Sequence, residues 1–244
     1  MTYIILGILQ GIFEWIPISS EGIVALAGQL SNIEFNVIDV ALFAHMGTLF
    51  AALIYFRRDW LEILTLRDKK LAKFLIIATL ISLAVGFFTY KTVRSMAVGA
   101  GLLFVMGFAL LVTSFFQKTK RSLNLNFDQL ALVSGFLQGL SVIPGLSRSG
   151  STIFALSLGK IAPSQILRIS YIMSVPAVFA STAYLGFKNP VLVLEAWPIL
   201  IFSFLTGFAA LHFLIKLSEK INFSKFAFIF GILCLVGALI NLKF

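Results

Sequence analysis

Long apolar runs alternate with short polar breaks along this chain, and two of the breaks do not read as ordinary loops. Apolar runs over about 38–56, 71–90, 96–116, 165–187, 193–215 and 225–243 each suit a membrane-crossing helix, which takes about 20 residues. Runs this continuous exclude the short alternating segments of a β-barrel. Residues 1–30 differ: they are apolar on both flanks but interrupted by Glu14-Trp-Ile-Pro-Ile-Ser-Ser20-Glu21-Gly22. Residues 127–158 are interrupted in the same way by Val142-Ile-Pro-Gly-Leu-Ser-Arg-Ser-Gly-Ser-Thr-Ile153. Neither flank of the first break is long enough to span. Each interrupted stretch therefore predicts two short helices joined by a polar turn, entering the membrane and returning to the same side. Such backbone is tolerated at that depth only where protein or a wet cavity covers it. Pro176, inside the fourth span, predicts a kink.

The two interrupted stretches are copies of each other. Gly7-Ile-Leu-Gln-Gly-Ile-Phe-Glu-Trp-Ile-Pro-Ile-Ser-Ser-Glu-Gly22 lies against Gly135-Phe-Leu-Gln-Gly-Leu-Ser-Val-Ile-Pro-Gly-Leu-Ser-Arg-Ser-Gly150, with the glutamines 128 residues apart and the prolines 127. Each copy is followed by three spans. Three is odd, so the second half starts on the opposite face from the first, which makes an inverted-topology repeat. The expected fold is thus all-α and polytopic: six transmembrane helices plus two re-entrant hairpins. It forms one membrane domain over residues 1–244, with repeats at about 1–117 and 127–244. The two hairpin tips meet near the midplane.

Composition agrees with a membrane protein. The chain is 59% hydrophobic and 12% charged, with a mean hydropathy of +1.02, which excludes a soluble domain. A net charge of +9 raises nucleic acid as a partner, but the lysines and arginines sit in loops, where they suit an anionic leaflet. Fourteen of them fall on one face and only Lys91, Arg94, Lys188 and Lys243 on the other. The rich face is expected to be cytoplasmic, with both termini and the site opening on the outer side of the plasma membrane. The first apolar run has no basic start and contains Glu14 and Pro17, so it reads as part of the mature chain. Cys234 is alone and cannot form an internal disulfide.

The candidate chemistry lies in the two breaks. Arg148 stands where a charge costs about 2.5 kcal/mol or more at a helix centre. Ser147, Ser149, Ser151 and Thr152 surround it with hydroxyls, Gly145 and Gly150 free backbone amides, and a helix start near Ser151 adds a positive end. Together they make an anion site suited to phosphate. The plainer account is that Arg148 pairs with a carboxylate and the glycines serve packing. Glu14 follows Gln10 by four residues and shares its helix face; it can hold a divalent cation, act as a base or neutralise Arg148. Ser19 and Ser20 serve as helix caps, as phosphate ligands, or as a nucleophile. Glu21 points to the cavity or to water, and His45 bonds a neighbouring helix or joins the site. There is no Walker loop, Cys/His metal spacing or nucleotide fingerprint.

Gln10-x-x-x-Glu14, Pro17-x-Ser19-Ser20 and Pro144-Gly-x-Ser-Arg-Ser-Gly-x-Thr152 together resemble the undecaprenyl-diphosphate phosphatase (bacitracin-resistance) family over essentially the whole chain. The resemblance implies six spans with two re-entrant hairpins and removal of the terminal phosphate of a polyprenyl diphosphate, usually on the outer face, with Mg2+ or Ca2+. That reaction recycles the lipid carrier of cell-wall glycan. The resemblance also implies Glu14, Ser20 and Arg148 as catalytic residues, with Glu14 on the metal. Gln10, Ser19, Ser147, Ser149, Gly150 and Thr152 then hold substrate. The family usually has a histidine three residues after the second serine, where this chain has Ile23. Either Glu14 acts with a metal-bound water, or Glu21 or His45 substitutes, or catalysis is weak or lost. The competing reading is a carrier moving a lipid phosphate or other anion between leaflets. A homodimer is open under either.

Overall fold

The computed structural model of the protein describes residues 1–16, 19–94, 100–118, 123, 125–159, 161, 163–217 and 223–241. Pro17 lies outside them, as do Lys120, Arg121, Lys160, Lys220 and Lys243 of the charge count. No strand occurs among the described residues.

The first break separates α1 (Thr2–Phe13) from α2 (Ser20–Leu30), and the second separates α7 (Phe127–Leu140) from α8 (Arg148–Ser157). The long helices α3 (Val37–Tyr55), α5 (Lys69–Arg94), α6 (Ala100–Lys118), α9 (Pro163–Lys188), α11 (Trp197–Leu217) and α12 (Phe223–Asn241) occupy the six apolar runs. Of these, α3, α5 and α9 are long and apolar enough among the described residues to cross a membrane. The helix starts follow local chemistry. Asn36 caps α3 by accepting from the Ile38 and Asp39 N–H groups, and Asn126 and Gln129 cap α7 reciprocally. The helix α9 continues through Pro176, although proline leaves the Ile172 carbonyl without its intrahelical donor.

Two short helices were not expected. In α4 (Arg57–Leu64) the charged stretch between the first two apolar spans is helical, with Ile63 buried and Trp60 half-buried three residues before it. Asn189 caps α10 (Pro190–Glu195), and Pro190 fits its first turn.

Packing pairs α1 with α11, α7 with α5, and α6 with α12; α3 lies against α9 and α11, and α5 against α9. The closest approaches use small residues. A Cβ on Gly11 would sit 2.0 Å from Thr206 Oγ1 of α11, and one on Gly135 would sit 2.5 Å from the Ala78 carbonyl of α5. Close backbone approach of this kind holds helices together where lipid offers no hydrophobic drive. Two apolar clusters flank the breaks. One contains Trp15, Phe56, Phe74, Leu130 and Tyr171; the other contains Leu6, Val24, Ile38, Phe43 and Leu185.

Candidate active site

Glu14 ends α1 and is fixed by its neighbour. The Trp15 indole N–H donates to the Gly207 carbonyl at 2.7 Å. The Tyr171 hydroxyl donates to the Trp15 carbonyl at 2.9 Å, and the two rings meet edge to face at 5.2 Å. With its backbone held on both sides, the Glu14 side chain is 4% exposed and carries four donors. Oε2 accepts from Gln10 Nε2 at 2.7 Å and from Ser20 Oγ at 2.8 Å, and lies 3.2 Å from His45 Nε2. Oε1 pairs with Arg148 Nη2. His45 Nδ1 faces the Ala41 carbonyl at 2.8 Å. His45 thus has an acceptor at each ring nitrogen.

The second break is bound to the first. Gly145 adopts φ +99°, a region that favours glycine, and a Cβ there would meet the Met106 carbonyl oxygen at 2.3 Å. Its N–H donates to Ser19 Oγ at 2.9 Å, and Ser149 Oγ donates to the Ile16 carbonyl at 3.2 Å. Ser19 also caps α2 by accepting from the Gly22 N–H at 3.0 Å, and Ser147 caps α8 from the Gly150 N–H at the same distance. Two helix N-termini therefore start at the same place, one from each break, and both offer partial positive charge. The helix α8 begins at Arg148, three residues before the expected start at Ser151. Arg148 Nη1 reaches the Ser170 carbonyl at 3.4 Å, while its buried Nε has no partner.

Two cavities meet here. A small one, about 10 Å³, is lined by Glu14, Ser19, Ser20, Glu21, His45, Ser141, Leu146, Ser147, Arg148 and Ser149. It has room for about one water and none for a phosphate. A large one, about 490 Å³, has mainly apolar walls, including Leu42, Phe87, Val178 and Leu185. Glu21, His45, Ser141 and Arg148 line both and form the junction.

Seven of the predicted residues thus share one wall: Glu14, Ser19, Ser20, Ser147, Arg148 and Ser149, with Glu21 turned inward rather than to the surface. His45 joins them. Three predicted substrate ligands line neither cavity. Gln10 is fully buried behind Glu14. The Gly150 amide is taken by its cap. The Thr152 hydroxyl donates to the Arg148 carbonyl at 2.9 Å and meets Ser170 Oγ at 2.6 Å. Sequence reading missed Ser141, which lines both cavities, and the supports Thr113, Ser170 and Tyr171. Thr113 Oγ1 accepts from the Ser147 N–H at 3.2 Å. These residues lie at helix ends or on apolar helices, and no pattern sets them apart.

These features define a class: a multi-pass helical membrane protein in which two interrupted segments bring an acid, an arginine and paired hydroxyls into one buried cluster. A family profile described as "Bacitracin resistance protein BacA" matches residues 3–237, and the chain belongs to that family. It is 31% identical to the protein named undecaprenyl-diphosphatase in Methanothrix thermoacetophila, with 95% of this chain and 94% of that one covered. It is 33% identical to proteins of the same name in Methanococcoides burtonii, with 94% and 95% covered, and in Haloarcula marismortui, with 98% and 97% covered.

Proposed function

We propose that this chain is a membrane phosphatase that hydrolyses a polyprenyl diphosphate of the undecaprenyl type to its monophosphate and so recycles a lipid carrier. The observation that carries this reading is the Glu14–Arg148 contact, which joins the two breaks and sets Ser20 on the same carboxylate. The relatives' shared name favours a hydrolase over a carrier.

The diphosphate head enters from the large cavity while the tail stays among its apolar walls. Arg148 turns from Glu14 to the phosphate oxygens, using its free Nε and an Nη. The space that Arg148 vacates beside the small cavity admits the phosphate to Ser147, Ser149 and the first amides of α2 and α8, which complete the anion cradle. Ser20 attacks the terminal phosphorus, its proton passes to Glu14 Oε2, and the anhydride P–O bond breaks to release the lipid monophosphate; water then hydrolyses the phosphoserine to inorganic phosphate. Alternatively, a water oriented by Ser20 attacks, gives its proton to Glu14 and releases inorganic phosphate and the lipid monophosphate in one step. Phosphoryl transfer needs mainly positioning and neutralisation, which this cluster supplies. A bound Mg2+ or Ca2+ adds charge neutralisation on the diphosphate oxygens. Among the described residues no three His, Cys, Asp or Glu side chains stand close enough to cage a metal. Glu14 and Glu21 are the two carboxylates lining the small cavity, and such a cation would take its protein ligand from one of them.

The membrane arrangement belongs to the same proposal: six spans, two re-entrant hairpins and an inverted repeat. Its support is the reciprocal packing, because α1 meets α11 as α7 meets α5, and α2 meets α3 as α8 meets α9. The lysine and arginine bias supports an outward opening in the plasma membrane.

The test is phosphate release from farnesyl diphosphate by purified protein in detergent with Mg2+ or Ca2+. Arg148→Ala is expected to lose about 10²–10³-fold in kcat/KM. A silent wild-type protein, or normal turnover by the variant, contradicts the proposal; a carrier would release nothing under these conditions.

A further inference from the structure

Glu14 is the obvious acid for a cation, yet its oxygens are already engaged. Oε1 faces Arg148, and Oε2 faces Gln10, Ser20 and His45. Three donors crowd Oε2, and Oε1 faces the Arg148 guanidinium. A divalent ion placed there would have to displace them. The other acid of the site is in the opposite condition. Glu21 lies in the first turn of α2, is 6% exposed, and its buried Oε1 has no hydrogen-bond partner. A buried carboxylate oxygen left unpaired is costly. Its position gives it an occupant: it lines the small cavity beside Ser20 and Arg148 and also the large cavity from which a phosphate must come.

We propose that Glu21 is the carboxylate that takes the divalent cation, bridging it to the incoming diphosphate, while Glu14 stays bonded to Gln10, Ser20 and His45. This rests on the reading that a diphosphate occupies the site. It divides the labour of two acids seven residues apart in sequence. Glu14 holds the reacting side chains in place before substrate arrives. Glu21 offers an unpaired oxygen that a cation with phosphate around it satisfies, since the Arg148 guanidinium at the same junction repels a bare ion. Binding of the metal is therefore expected to be weak alone and strong with a diphosphate present.

The experiment is Mn2+ titration followed by electron paramagnetic resonance on detergent-purified protein, with and without methylenediphosphonate, an uncleavable diphosphate. Wild type is expected to bind Mn2+ at least tenfold more tightly with methylenediphosphonate than without. Glu21→Gln loses at least tenfold of that affinity, Glu21→Asp loses less, and Ser20→Ala stays within threefold of wild type. Gel filtration confirms that each variant is monodisperse. Wild-type-like affinity in Glu21→Gln overturns the proposal, as does wild type that binds no Mn2+ with methylenediphosphonate, or a loss confined to Glu14→Gln. Phosphate release by wild type, measured separately with Mg2+, tests the phosphatase reading itself, so the two failures are told apart.

Discussion

The adjacent serines of the first break are expected to fail in opposite ways when truncated. Ser19 Oγ accepts from two buried backbone N–H groups, Gly22 at 3.0 Å and Gly145 at 2.9 Å. Ser19→Ala removes a helix cap, about 1 kcal/mol, and orphans the Gly145 N–H, about 1–3 kcal/mol. The sum, about 2–4 kcal/mol, corresponds to a fall of about 4–16 °C in unfolding midpoint for a chain of this size. Ser20 Oγ makes one hydrogen bond, to Glu14 Oε2, which keeps Gln10 and His45 when that bond goes. Ser20→Ala is therefore expected to cost about 1.5 kcal/mol of stability but at least about 10³-fold in kcat, because the attacking group or the water's guide is gone. Thermal unfolding in detergent and phosphate release well below the midpoint read the two quantities. A Ser20→Ala enzyme with more than a tenth of wild-type turnover would refute the assignment. A Ser19→Ala protein as stable as wild type would refute the account of how the two breaks are joined.

Glu14→Gln removes the carboxylate that pairs with Arg148 and His45, a change worth about 3–5 kcal/mol in stability, and is expected to abolish turnover as well; a midpoint above that of Ser20→Ala would argue against the pairing. Gly47→Ala places a Cβ 1.9 Å from Ser203 Oγ and 2.4 Å from the Leu200 carbonyl, so α3 must part from α11. We expect at least about 1–3 kcal/mol of destabilisation, read by the unfolding midpoint, and reduced activity because His45 lies two residues away; an unchanged midpoint would contradict the packing. Thr152→Val keeps the shape but removes a hydroxyl committed to Ser170 and the backbone. Its KM should stay within threefold, and a tenfold rise would return Thr152 to the substrate ligands.

The sequence revealed the acid and the arginine because charges inside apolar runs are costly and demand compensation. It revealed the paired breaks because the same Gly, Gln, Pro and Ser spacing recurs. What it hid was direction. The α8 start at Arg148 instead of Ser151 adds most of a turn before Thr152, and at about 100° per residue that turns its hydroxyl towards α9 rather than the cradle. The charges of α4 masked its helical face, since eight residues hold too few apolar positions for a period to emerge. Ser170 and Tyr171 contribute through a carbonyl and a hydroxyl on an apolar helix, where neighbours alone decide their use.

The large cavity has a consequence for length discrimination. Its apolar walls, among them Leu42, Phe87, Val178 and Leu185, hold only the units of a prenyl tail next to the head. The rest of a long tail is solvated by bilayer acyl chains and not by side chains. Preference for long over medium prenyl tails would then follow from partitioning into the bilayer, and should fade in micelles.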